Sequence, residues 1–82
     1  MTMTLTTKVA RKIMRKQGIG SILFNDKLST GERSLKVWGW TMFQYEKAKR
    51  KLEKKGCTVK MVSFNNYRGG FTIRLHVTEP QG

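Results

Sequence analysis

Phe71-Thr72-Ile73-Arg74-Leu75-His76-Val77 alternates apolar and polar residues without a break. Side chains of a strand point to opposite faces in turn, so this period of two marks a half-buried β-strand with Phe71, Ile73, Leu75 and Val77 on the inner face. Its partner is the preceding run, Cys57 to Phe64, which reads with Val59 and Met61 on one face and Lys60, Val62 and Phe64 on the other. Asn65 to Gly70 connects the two as an exposed loop, with Gly69 and Gly70 free to take positive φ. A second pair of strand-like runs, Ile19 to Phe24 and Ser34 to Trp40, flanks a polar stretch, Asn25 to Glu32, and reads as another hairpin. If Leu35 and Val37 join Ile73 and Leu75 inside, then Lys36 and Trp38 point outward.

Each hairpin is preceded by an amphipathic helix. Thr6 or Thr7 can cap a helix that runs to Lys16 or Gln17, and Gly18 supplies its left-handed stop. Thr41 and Gln44 have the spacing of a capping box at the head of a second helix, Met42 to Lys55, which Gly56 ends. Trp40, just before that cap, is expected to pack as a hydrophobic staple on Tyr45. Helix, Lys-x-Gly, strand, loop and return strand thus occur twice, in the order αββαββ. The expected fold is α+β, a four-stranded, largely antiparallel sheet with both helices on one face, because that arrangement buries both apolar stripes. Residues 1–82 make one domain, with 1–5 and 79–82 as flexible tails.

Charge is the strongest chemical signal. Seventeen basic residues face five acidic ones, a net charge of +12. Five of the seventeen lie on the first helix (Lys8, Arg11, Lys12, Arg15, Lys16). Six lie on the second, of which Lys47, Arg50, Lys51, Lys54 and Lys55 share one face. At 100° per residue each set of five falls within about 140° of the wheel, opposite the apolar stripe. Solubility needs charge but not such an imbalance of sign, so the expected partner is a polyanion, and DNA or RNA is the commonest. On the uncovered sheet face, Lys36, Trp38, Lys60, Phe64, Arg74 and His76 would combine cations with aromatic rings, a platform on which unpaired bases can stack. Tyr67 and Arg68 at the tip of the second hairpin are further candidates.

These readings lead to a small, non-enzymatic nucleic-acid-binding protein. The alternative is a regulator or inhibitor, of the kind phages and mobile elements encode, that docks on an acidic surface of a larger protein or nucleoprotein, with Trp38, Trp40, Phe43 and Tyr67 as anchors. Homodimerisation through a sheet edge stays open. Catalysis finds little support, since acid–base chemistry needs a positioned pair and the chain has one histidine and one cysteine. A ribonuclease built on His76 with Thr72, Arg74 or Lys60 is the third reading. No cofactor is expected, and no metal, because a structural zinc needs four ligands. No run approaches the length of a membrane span, and Met1 to Thr7 lacks the pattern of a secretory signal. With Cys57 as a lone thiol, these features lead to the expectation of a cytoplasmic protein without a membrane partner.

Overall fold

A computed structural model describes residues 5–79, and of residues 25–27 the backbone only. The elements are α1 (Thr7–Lys16), β1 (Gly20–Lys27), β2 (Arg33–Gly39), α2 (Met42–Lys54), β3 (Thr58–Tyr67) and β4 (Gly70–Thr78). All strand pairs are antiparallel, and the sheet order is β1-β2-β4-β3. Exchanging the two αββ halves leaves that order unchanged, with the return strands β2 and β4 paired at the centre. The expected αββαββ architecture is therefore the observed one, and both helices pack against the sheet.

The repeated Lys-x-Gly has a physical cause. Gly18 and Gly56 take φ of 74° and 94°, the left-handed region that a Cβ disfavours. At the end of α1, Gly18 N–H donates to Arg15 and Ile19 N–H to Met14, each at 2.9 Å. At the end of α2, Gly56 N–H donates to Glu53 at 2.9 Å and Cys57 N–H to Leu52 at 3.1 Å. Both are Schellman motifs, and in each the residue after the glycine, Ile19 or Cys57, is buried with its partner, Met14 or Leu52. At the other ends, Thr6 caps α1 by accepting from Val9 N–H at 3.1 Å. Gln44 Oε1 accepts from Thr41 N–H at 3.2 Å, the return arm of the expected capping box, and from Trp40 N–H at 3.1 Å.

The core lies between the layers. Ala10, Ile13 and Met14 of α1 and Tyr45, Ala48 and Leu52 of α2 bury their stripes against Leu35, Val37, Phe71, Ile73, Leu75 and Val77. Tyr45 meets Phe71 edge to face at 6.5 Å.

Several local expectations fail for identifiable reasons. Leu5, expected in a tail, is fully buried; its N–H donates to Glu79 Oε2 at 3.0 Å, and its carbonyl accepts from Arg33 Nη1. The tails expected at 1–4 and 80–82 lie outside the described residues. Asn65 to Gly70 is mostly strand and not loop: β3 continues to Tyr67, which pairs with Gly70, leaving Arg68 and Gly69 as a two-residue turn. Strand β1 likewise runs on to Lys27, so the first loop shortens to 28–32 and closes by Leu28 N–H to Glu32 O at 2.7 Å. Trp40 forms no staple; it stands 73% exposed over the Gly69–Gly70 turn.

Candidate interaction surfaces

The two layers expose two chemically different faces. On the helix side, Lys8, Arg11, Lys12, Arg15 and Lys16 of α1 and Lys47, Arg50, Lys51 and Lys54 of α2, with Lys55 just after it, are all exposed. Because α1 and α2 pack side by side, their cations meet: Lys12, Lys16, Lys51 and Lys55 line one groove of about 310 Å³ floored by Val9 and Ile13. Lys47 also lies over the exposed ring of Phe43, 4.7 Å from its centroid.

The uncovered sheet face follows from the registers, since directly paired residues share a face. Lys36 pairs with Ile22 and Arg74, Trp38 with Gly20 and Thr72, and Lys60 with His76. These residues are on the open face as expected, together with Ile22 and Phe24, whose outward direction the sequence reading did not weigh. Phe24 is 40% exposed and has the Arg74 guanidinium 5.8 Å from its ring centroid. Trp38 lies flat on Gly20, where a Cβ would come within 2.3 Å of the indole. Gly20 is therefore a close-approach glycine that lets a tryptophan lie along the sheet.

Phe64 is elsewhere. A β-bulge between Met61 and Ser63 lets Val62 slip out of register, so Ser63 pairs with Arg74 and Phe64 with the buried Ile73. Phe64 thus shares the helix-side face with Met61, yet both stay more than 40% exposed because they lie on an edge strand. No period-two count can see the bulge. His76 lies on the open face, but its Nδ1 is 3.7 Å from Glu32 Oε1, an acidic neighbour that reduces its value as an anion contact.

Where the sheet's open face meets its end, the Trp38 and Trp40 rings, Tyr67 and Arg68 wall a cleft of about 370 Å³. Gly39 and Gly70 form its floor, and they are side by side: a Cβ on Gly70 would lie 2.7 Å from the Gly39 carbonyl oxygen. Tyr67 and Arg68 are exposed here, so the hairpin tip and the sheet-face tryptophan, treated as separate leads in the sequence, border one cleft.

The buried titratable groups serve the core. Burial raises the Cys57 thiol, Glu79 adds to the rise, and Lys55 partly offsets it. Burial likewise raises the Tyr45 phenol, with Glu53 and Glu46 contributing. A thiol held protonated is a poor nucleophile, which suits the reading of Cys57 as a small buried residue. Among the described residues, no three His, Cys, Asp or Glu side chains are grouped to hold a metal ion.

No family model matches the chain, and no curated protein matches it. The crystal structure of the periplasmic domain of XcpY, in its oP crystal form, is similar, with a TM-score of 0.69. The likeness spans 85% of this chain and 91% of that one at 15% identity, and so concerns the fold. It corrects the expectation of a cytoplasmic nucleic-acid-binding protein with DNA or RNA as partner, because the matching fold belongs to a periplasmic domain. The reason for the error is physical. Net charge and its placement on two helices suit any anionic partner, and acidic proteins and anionic surfaces fit them as well as phosphodiester chains do.

Proposed function

We propose that this chain is a non-catalytic docking domain that binds an acidic protein partner through its open sheet face and works in the periplasm. The observation that carries the reading is the composition of that face. Ile22, Phe24 and Trp38 are each 40–49% exposed on one side of the sheet, and the surface continues into the cleft with Trp40 and Tyr67 at 73% and 58%. A contiguous apolar surface of this kind marks a binding site, and tryptophan, tyrosine and arginine are the residues that dominate binding energy at protein interfaces. Lys36, Arg74 and Arg68 stand beside these rings and Lys60 lies on the same face at the β3 edge, which favours an acidic partner and fast, salt-sensitive association. The likeness to a periplasmic domain supports the location.

The test is retention of a partner from a nuclease-treated cell-envelope fraction by the wild-type chain and by Phe24→Glu and Trp38→Glu variants. Loss of one acidic protein from both variants is the expected result. No retained protein in the nuclease-treated fraction where the untreated fraction gives one, or retention that both variants keep, would refute the reading.

A further inference from the structure

The docking reading leaves the helix face without a role, although it carries ten of the seventeen basic residues. We propose that this face is a second, independent surface that lies against the phosphate headgroups of an anionic lipid bilayer, with Lys12, Lys16, Lys51 and Lys55 at its centre.

Composition separates this face from the sheet side. Seven of its ten cations are lysines, Lys8, Lys12, Lys16, Lys47, Lys51, Lys54 and Lys55. Lysine is depleted from protein interfaces, where a mobile ammonium is costly to desolvate and order, whereas clusters of lysine on amphipathic helices suit anionic headgroups that stay hydrated. The charges are also segregated. Helix α1 has no acidic residue; on α2, at 100° per residue, Glu46 stands one turn from Arg50 at the edge of the face, while Glu46 and Glu53 both lie about 140° or more from Lys51 and Lys55 at its centre. The groove between the helices is therefore lined by cations of one sign, whose mutual repulsion a layer of phosphates would relieve.

Shape is compatible with this. The domain measures 40 × 25 × 17 Å, and α1 and α2 pack beside each other on one face of the sheet. The apolar stripes of both helices are spent on the core, with Ala10, Ile13, Met14, Tyr45, Ala48 and Leu52 all buried. The face would accordingly adsorb chiefly by charge, with Phe43, 64% exposed among its cations beneath Lys47, as a large apolar side chain able to enter the headgroup layer. No helix of the described residues is long and apolar enough to cross a membrane, and adsorption needs none.

The test is co-sedimentation with vesicles of phosphatidylcholine alone and of phosphatidylcholine mixed with phosphatidylglycerol. Two quadruple variants that lose the same charge are compared with the wild type: K12Q/K16Q/K51Q/K55Q on the helix face and K36Q/K60Q/R68Q/R74Q on the sheet side. All eight positions lie outside the buried core, and circular dichroism checks that both variants fold. Partition to the anionic vesicles should fall on the order of 100- to 1,000-fold in the helix-face variant and much less in the other. Raising salt from about 50 mM to about 300 mM should release the wild type. Equal losses in the two variants, binding to phosphatidylcholine alone, or no partition of the wild type would each overturn the proposal. None of these outcomes bears on the docking face, whose own variants are Phe24→Glu and Trp38→Glu.

Discussion

Gly20→Ala should loosen this domain through a tryptophan on the next strand. A Cβ on Gly20 would lie 2.3 Å from Trp38 Cε2 and Nε1 and 2.7 Å from Cζ2. Ordinary contact begins near 3.4 Å, so the rigid indole must retreat by about 1 Å or more. Trp38 is already 40% exposed, which gives the ring room to swing into solvent. Re-exposing roughly 60 Å² of its face at about 25 cal/mol per Å² costs about 1.5 kcal/mol. For a domain of this size that is a fall in Tm of about 6–12 °C. Tryptophan emission in a Trp40→Phe background, which isolates Trp38, should shift to the red. The decisive comparison is a double-mutant cycle. With Trp38→Ala in place the obstacle is gone, and Gly20→Ala should cost nothing or stabilise slightly, since alanine loses less backbone entropy than glycine in a strand. Equal destabilisation in both backgrounds would show that the glycine is required for its backbone and not for the ring, and would remove the argument that Trp38 is held flat as part of a docking face.

Other consequences follow from the core and its caps. Leu5→Ala should cost about 2–4 kcal/mol in urea unfolding, as at any fully buried leucine, whereas a tail residue would cost nothing. Gly56→Ala, at φ 94°, should lower stability by about 1–2 kcal/mol by straining the Schellman turn, and an unchanged urea midpoint would refute that role. The pH dependence has a definite sign. The folded state holds the Cys57 and Tyr45 protons more tightly than the unfolded chain does, so their contribution is complete below the unfolded thiol value of about 8.5 and is lost as pH rises through the raised folded values. Urea midpoints should therefore decline on the alkaline side, and Cys57→Ala should delay the onset; a midpoint that rises with pH would contradict both assignments.

The architecture was legible in the sequence because its signals are local. The unbroken alternation from Phe71 to Val77, the Thr41–Gln44 spacing and the two Lys-x-Gly endings each report on a few consecutive residues, and all are realised. What was missed depends on distant partners. Leu5 is buried through contacts with Arg33 and Glu79, which no window around Leu5 contains. The bulge at Val62 reverses the facing of Phe64, and a one-residue slip leaves no compositional trace. Trp40 had a plausible helical neighbour in Tyr45 but lies over Gly69 and Gly70, nearly thirty residues away. The candidate surfaces fared similarly. The helix cations were placed correctly because helical periodicity fixes them, while the union of Trp38, Trp40, Tyr67 and Arg68 around one cleft required the β2–β4 pairing. Charge alone does not separate nucleic acid from other anionic partners, which is why the reading of it went astray.

A photo-crosslinking residue introduced in turn at Phe24, at Lys36, and at Arg11 and Arg50 on the helix face compares the two sides of the molecule in the cell envelope. The docking account predicts a discrete, nuclease-resistant adduct with an acidic protein from positions 24 and 36 and none from 11 or 50. Protein adducts from the helix positions alone, or adducts from the sheet positions that nuclease destroys, would contradict it.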